Sequence, residues 1–492
     1  MSKSDAILVR PPQDITVTDY DFVESLGLGY LVTEARSAGF RVEYIDALIG
    51  GIAKQELAEE ILRSNPPLVG FSVMEPWYSA VAEICRTLKR EGYEGHIVLG
   101  NQYATFLADE VLTDIPIDCI VSYEADESFI DLLNCVTLKS DWRNVQNLAF
   151  LATGRVVKNP LKPLIKDLDK LPIPSHEWFE KARDRYPSIS VAGSRGCYAK
   201  CRFCTIPGFY GPQKGPGWRG RSPESIVDEI ESVTREHQTF NVTFVDENFF
   251  GPGTKGKERV KAICREILTR GLDITFSIDC RPDDVSYEIF KLLKKAGLRT
   301  VFMGVETVSD RELEYYGKST SRVVNEKAVS ILNEIDIDVL CGFIPFGPIS
   351  TLDDIEANLD FAFNLDNLDI FELFRRLENR PGMALYSRSS PCGRNTDTEL
   401  LYDFLQENFR KYISGGALIR TLDGVSDNGY NTRIADIKNE FKAGIFRSFR
   451  EAIGIIREKN DLTPFGMIVR ERSENIYEKI KGLYTEVEES RS

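Results

Sequence analysis

Strand-sized apolar runs alternate with amphipathic helical runs twice along this chain, and that alternation restricts the fold more than any single motif does. In the first series, "DAILVRPP" (5–12) reads as a strand stopped by Pro11 and Pro12, and "LGLGYLVTEARSAG" as a helix ending at Gly39. "FRVEYIDA" reads as a strand, "KQELAEEILRSN" as an amphipathic helix and "PLVGFSV" as a strand, followed by a helix around "AVAEICRTLKREG". "HIVLGN", "DCIVSYE" and "ESFIDLLNCV" continue the pattern. Strands separated by helices predict a parallel sheet covered on both faces, so residues 1–140 are expected to form a doubly wound α/β domain. Residues 141–185, which include "LKPLIKDLDKLPIPSHEWF", carry prolines and mixed charge and read as a linker packed on its neighbours.

The second series occupies residues 186–395. Strand candidates lie at 188–194, 240–249, 273–280, 299–307, 336–347 and 368–377, separated by helices such as "SPESIVDEIESVTREH" and "SYEIFKLLKKAG". βα units in this number predict a partial or full (β/α) barrel, in which reactive groups gather at the C-terminal ends of the strands. Residues 396–492 are mostly helical in pattern and are expected to form a C-terminal helical domain. A length of 492 residues exceeds one ordinary core and suits two or three domains.

The formal net charge of −15 disfavours nonspecific contact with nucleic acid or anionic membranes. The start, "MSKSDAILVRPP", lacks the apolar run of a secretion signal, and no window approaches a membrane span, so the cytoplasm is the expected compartment. Ten cysteines spread over the chain do not form a disulfide framework. Cys85 in "AEICRTL" and Cys119 in "IDCIV" are expected to be buried and inert.

Three of the ten cysteines crowd into eight residues, "CYAKCRFC", as Cys197, Cys201 and Cys204. Structural zinc takes four protein ligands and an iron–sulfur cube also prefers four. Three thiols on one loop would leave one iron of a cube open to something else, or require a distant fourth cysteine for zinc, or reflect packing alone. The loop follows the first strand of the second series and so lies at the mouth of the expected barrel.

"CYAKCRFC" resembles the CxxxCxxC motif of radical S-adenosylmethionine (SAM) enzymes, and Phe203 before the third cysteine fits it too. The resemblance implies a [4Fe–4S] cluster held by Cys197, Cys201 and Cys204, with SAM on the fourth iron, reductive cleavage to a 5′-deoxyadenosyl radical, and an external one-electron reductant such as flavodoxin or ferredoxin. "TFVDENFF" (243–250) resembles the second-strand motif, which would bring Asp246 and Glu247 to the SAM amino group. "FSIDCRPDD" would offer Arg281 to the SAM carboxylate. "FMGVETVSDRELEYYGKST" resembles the fourth-strand signature, in which Gly304 would permit close backbone approach and Glu306 would meet ribose hydroxyls or the amine. "CGFIPFGPIS" resembles the fifth-strand region beside adenine, with Gly342 and Gly347 allowing the approach. Residues 374–388 resemble a late-barrel segment in which Pro381 and Gly382 form a turn. Arg375, Arg376 and Glu378 there would face substrate or form an ion-pair network.

Residues 5–135 resemble the cobalamin-binding module that precedes many radical SAM domains, through "PPQ", "LGLGYLVTEARSAGFRVEYIDA", "VGFSVM", "VLGNQYAT" and "IDCIVSYEADESFIDLL". Ser72 and Gly100 would lie at the strand ends and meet the nucleotide tail of cobalamin. No Asp-x-His-x-x-Gly segment is present, so no histidine serves the lower cobalt position. Asn101 stands where relatives carry a second glycine and would crowd the tail. Trp77 and Tyr78 would pack against a corrin ring or fill its place.

Together the two resemblances imply a cobalamin-dependent radical SAM methyltransferase acting on an unactivated carbon of a small or medium natural-product intermediate. The alternatives are a cobalamin-independent dehydratase, oxidoreductase or rearrangement enzyme, with Glu247, Asp283 and Glu378 holding an aminoglycoside-type sugar, and a non-enzymatic module with a structural cluster. Tyr198, Tyr210, Tyr315 and Tyr386 are candidates to return a hydrogen atom, with packing as their plainer role.

Overall fold

The computed structural model describes residues 4–13, 23–365, 367–387, 395–422 and 430–491. Two α/β layers and a helical region follow one another along the chain. The first sheet holds β1 (Ala6–Arg10), β2 (Val42–Asp46), β3 (Leu68–Ser72), β4 (His96–Gly100), β5 (Cys119–Val121), β6 (Leu148–Ala152) and β7 (Arg155–Lys158), in the order β2-β1-β3-β4-β5-β6-β7. The first five are parallel, in register Ala6 with Val42 and with Leu68. β1 and β3 are buried at every position, as a sheet covered by helices on both faces requires. Cys85 and Cys119 are fully buried, and burial raises both thiol pKa values, that of Cys85 to about 12.

The strand order reverses at β1 and β3, which makes their C-terminal ends a crevice. β6 and β7 come from the stretch expected to be a linker. They add to the sheet as an antiparallel hairpin because Leu148, Ala149 and Phe150 are buried while Thr153 and Gly154 turn with positive φ. The sheet therefore extends past residue 140.

The second sheet is a five-stranded, all-parallel arc, β14-β13-β12-β11-β8, built from β8 (Ile189–Val191), β11 (Asn241–Phe244), β12 (Thr275–Cys280), β13 (Leu298–Glu306) and β14 (Asp338–Phe343). A two-stranded ribbon, β9 (Ser194–Gly196) and β10 (Trp218–Gly220), flanks the cysteine loop.

The sixth expected strand, 368–377, is instead a short 3-10 turn at Ile370–Phe374, with one bridge between Phe346 and Arg376. Asp369 caps the turn through the Phe371 amide at 3.0 Å, and the Glu372 carboxylate accepts from the Phe343 amide at 2.9 Å, so a side chain takes the edge group that a sixth strand would have paired. The barrel is partial.

Helices Thr396–Asn408, Arg410–Leu422, Asn431–Arg457 and Thr463–Arg491 follow. One continuous core joins the arc to them, from Val191 and Phe244 to Phe449 and Leu483. Arg388 of the late-barrel segment and residues 423–429 and 492 of the helical region lie outside the described residues. Among the described residues, no helix is long and apolar enough to cross a membrane.

Candidate active site

The cysteine loop is anchored before it begins. The Asp246 carboxylate, 1% exposed, accepts from the Gly193 amide at 2.9 Å and from the Ser194 hydroxyl. Burial pushes its pKa up to about 6, against the opposing Arg259 guanidinium. Asp246, expected to meet a ligand, is thus committed to pinning the loop on the end of β11. Gly196 follows at φ +80°, where a Cβ would lie 1.9 Å from the Gly217 carbonyl oxygen, so only glycine fits where the ribbon's two chains close.

All three loop thiols are free, and each accepts a hydrogen bond from an N–H group. Cys197 Sγ accepts from the Ala199 amide at 3.4 Å, Cys204 Sγ from the Ile206 amide at 3.5 Å, and Cys201 Sγ from Arg281 Nη1 at 3.4 Å. Burial raises the Cys197 and Cys204 thiols, the latter to about 12, so a bound cation is needed to hold them as thiolates. Among the described residues no group of three or more His, Cys, Asp or Glu side chains is placed to hold a metal ion. Phe203 packs edge-on against Tyr316, with ring centroids 5.4 Å apart.

Arg281 reaches both the loop and Asp283, which it grips at 2.9 and 3.2 Å. Glu306 sits at the end of β13 with φ +65°, and its Oε1 accepts from Lys318 Nζ at 2.7 Å. Lys318, 4% exposed, also donates to the Gly304 carbonyl. A Cβ on Gly304 would lie 2.5 Å from Glu306 Oε1, and one on Gly342 would lie 2.7 Å from the Phe302 ring. Both glycines therefore make room for the protein's own side chains. Gly347 does likewise, under the Tyr316 hydroxyl.

A cavity of about 330 Å³ opens between the two sheets. Leu8, Gly70, Ser72, Val98, Gly100 and Val121 wall it at the crevice of the first sheet. Ser194 and Arg195, which precede the cysteine loop, and Phe209 and Tyr210, which follow it, wall the other side with Glu247. The Glu247 side chain is exposed to this cavity. It accepts from the Gly196 amide at 2.9 Å and the Tyr210 hydroxyl at 3.3 Å, and burial raises its pKa.

A Cβ on Gly27 would meet nothing within 4 Å, and one on Gly100 only the Val121 oxygen at 3.7 Å. The smallness of these two residues is not demanded by the chain's own packing and leaves a cradle open to a ligand. Asn101 also lines the cavity, its Nδ2 donating to Ser72 Oγ at 2.9 Å.

Trp77 and Tyr78 are engaged elsewhere, Trp77 with Gln13 and the Arg10 guanidinium, and Tyr78 with Asp114. Asp283 is bound to Arg281 and Glu378 to Arg380, so of the three acids expected at a sugar site only Glu247 lines the cavity. Arg375 pairs with Glu372 and Arg376 with Glu399. Tyr198 donates to Asp284 at 2.8 Å, Tyr315 lies under the Arg202 guanidinium, and Tyr386 follows the Gly382 turn.

The family model described as the radical SAM superfamily matches residues 191–362, and that of the B12 binding domain matches residues 12–133. The chain belongs to the radical SAM superfamily. It is a radical SAM enzyme with an N-terminal B12-binding domain.

An uncharacterised methyltransferase of Pyrococcus horikoshii is 29% identical over 370 residues, 73% of this chain and 78% of that protein. The anaerobic magnesium-protoporphyrin IX monomethyl ester cyclase of Cereibacter sphaeroides is 26% identical over 458 residues, 86% of this chain and 72% of that protein. The cobalamin-dependent SAM radical enzyme OxsB, solved with aqua-cobalamin bound, shares the fold at a TM-score of 0.75 and 17% identity, covering 99% of this chain and 80% of that one.

Four residues around the candidate site of this radical SAM enzyme escape a reading of the sequence. Lys318 lies in the quoted "YYGKST" without a pattern that marks it as the partner of Glu306. Asp279 is on the polar, inward face of β12 with Ser277, and burial together with the Asp246 and Glu247 charges pushes it up to about 7. Its one sequence signal is a carboxylate at an alternate position of an apolar strand. Arg195 and Arg219, carried by the ribbon, reach across to Glu124 and Asp126 of the first domain at 2.8–3.0 Å, and no spacing foretells that.

Proposed function

We propose that this radical SAM enzyme transfers a methyl group to an unactivated carbon of a small or medium natural-product intermediate, with a corrinoid in the cavity between its two sheets. The observation that carries the reading is the position of that cavity, walled by the crevice of the first sheet on one side and by both flanks of the cysteine loop on the other. Bound there, a [4Fe–4S] cluster, SAM and a corrinoid would supply one-electron SAM cleavage and a transferable methyl group, the chemistry that side chains lack.

The chain's own residues position and shield. Cys197, Cys201 and Cys204 hold the cluster. Arg281 and the Lys318-clamped Glu306 offer a cation and a carboxylate to the polar ends of SAM, and Phe203 packs the loop. Ser72, Gly100 and Gly27 cradle the corrinoid, and Glu247 with Tyr210 faces substrate. The methyltransferase of Pyrococcus horikoshii supports the transfer by likeness. A second reading, oxidation or ring formation in place of methyl transfer, draws on the cyclase that aligns with most of the chain.

The test is anaerobic reconstitution with iron, sulfide and hydroxocobalamin, followed by desalting, visible absorption and assay of 5′-deoxyadenosine. Near-stoichiometric corrinoid with SAM cleavage is expected, and Cys201→Ala should reduce cleavage to background. Near-normal cleavage in that variant would overturn the cluster assignment. Cleavage without retained corrinoid would favour the second reading.

A further inference from the structure

At the C-terminal ends of β4 and β5, Asn101 and Tyr123 hold left-handed backbone, and both line the cavity between the sheets. Asparagine tolerates that conformation, and Asn101 supports it with two side-chain hydrogen bonds. Tyr123, at φ +64°, has no such support. It is the one aromatic residue at positive φ among the described residues, and a bulky side chain there is strained. Its hydroxyl has no hydrogen-bond partner among them. The turn needs the backbone angle but not the ring. The Ser122 amide donates to the Asn147 carbonyl at 2.9 Å, the Tyr123 amide to Thr105 Oγ1 at 3.2 Å, and the Glu124 amide to Gln213 Oε1 at 3.1 Å. Consecutive amides are thus fixed from outside the turn, and glycine would make the same turn without strain. What tyrosine adds is a half-buried ring in the cavity wall, 5.8 Å from the Phe209 ring centroid, with its hydroxyl unpaired. Phe209 is itself packed on Phe106, at 6.2 Å.

We infer that Tyr123 is a corrinoid-contacting residue, its ring packing on apolar surface of the ligand and its hydroxyl donating to a corrinoid oxygen. The inference rests on the reading of the cavity as a corrinoid site. Backbone strain persists where the surrounding structure enforces it, and it gathers at ligand clamps. Here the neighbouring amides enforce the angle, and the ligand gives the phenol its use. A corrinoid offers two kinds of oxygen acceptor, the carboxamides around its ring and the phosphate of its nucleotide tail. Cobinamide keeps the first and lacks the second. A side chain kept for a ligand can be removed without loss of stability in the ligand-free protein, whereas truncating a core side chain leaves a destabilising cavity.

The experiment titrates the reconstituted full-length chain with hydroxocobalamin and with diaquocobinamide, read by visible absorption, and measures the unfolding temperature of the corrinoid-free protein. Y123G is expected to weaken hydroxocobalamin binding at least about tenfold, while the corrinoid-free variant unfolds at no lower temperature than wild type. Y123F keeps the ring and the strain, and should weaken binding about fivefold at an unchanged unfolding temperature. A fivefold loss that persists with cobinamide would support the contact with a ring carboxamide as acceptor, and one that vanishes would support it with the tail phosphate. Unchanged affinity in both variants, with corrinoid retained by wild type, would overturn this inference alone. A lower unfolding temperature of corrinoid-free Y123G would also overturn it, since the ring would then serve the protein's own packing. Wild-type protein that retains no corrinoid would overturn the reading of the cavity and this inference with it.

Discussion

At the residue scale, Asn101 holds a conformation that glycine prefers. Its φ of +76° is in the left-handed region, tolerated by asparagine better than by most residues. The side chain stays there because Oδ1 accepts from the Gln102 amide at 2.7 Å and Nδ2 donates to Ser72 at 2.9 Å, which lays the carboxamide along the cavity wall. Asn101→Gly removes that wall without straining the backbone. Corrinoid retained after desalting should rise relative to wild type. Unchanged occupancy would show that the carboxamide does not crowd the cofactor. Glu306 is a second residue with positive φ, at +65°, and its buried pairing with Lys318 gives the strained end of β13 a fixed charge arrangement.

At the element scale, β12 separates two environments by alternation. Phe276, Ile278 and Cys280 enter the helix-covered core, while Thr275, Ser277 and Asp279 face the hollow of the arc. Below Asp279 the hollow is lined by hydroxyls, with Ser277 donating to Thr243 at 3.2 Å and Thr243 within 2.5 Å of Ser188. No donor among the described residues bonds the Asp279 carboxylate, and burial lifts it from 3.8 to about 7. Between those values the folded protein keeps a proton that the unfolded chain has released. Stability is therefore lost as pH rises from about 4 to about 7 and levels off above that. Asp279→Asn removes the titration. Thermal unfolding at pH 5 and pH 8 should show a smaller fall across the interval for the variant than for wild type, and equal falls would assign the proton elsewhere.

At the scale of the whole molecule, the two α/β units are joined by buried charge. Glu124, with its side chain 5% exposed, accepts from Arg195 at 3.0 Å and Arg219 at 2.8 Å, and also from the Ile165 amide at 2.8 Å. Arg219 is 3% exposed, and its Nε and Nη2 have no acceptor among the described residues. Glu124→Ala would strand that guanidinium, at a cost of about 3–5 kcal/mol for a broken buried pair. Because Arg195 and Glu124 also wall the cavity, the variant should unfold at lower urea concentration and lose corrinoid together. Loss of stability with full corrinoid retention would separate docking of the domains from the cofactor site.

The sequence by itself determined the two βα series, the helical end and the three-thiol loop, because each is written in local order: apolar periodicity, turn residues and the spacing of Cys197, Cys201 and Cys204. Short motifs in it also single out Glu247, Arg281 and Glu306 as candidates for the site. Only the tertiary structure decided what those groups touch. Asp246 turned out to anchor the loop, Gly304 and Gly342 to clear space for Glu306 and Phe302, and the hairpin at 148–158 to extend the first sheet. The pairings of Lys318 with Glu306 and of Arg219 with Glu124, 95 positions apart, depend on which surfaces meet once both sheets have formed. Periodicity reports which face of an element is buried, whereas contacts between distant elements are set by packing and carry no signature in local sequence.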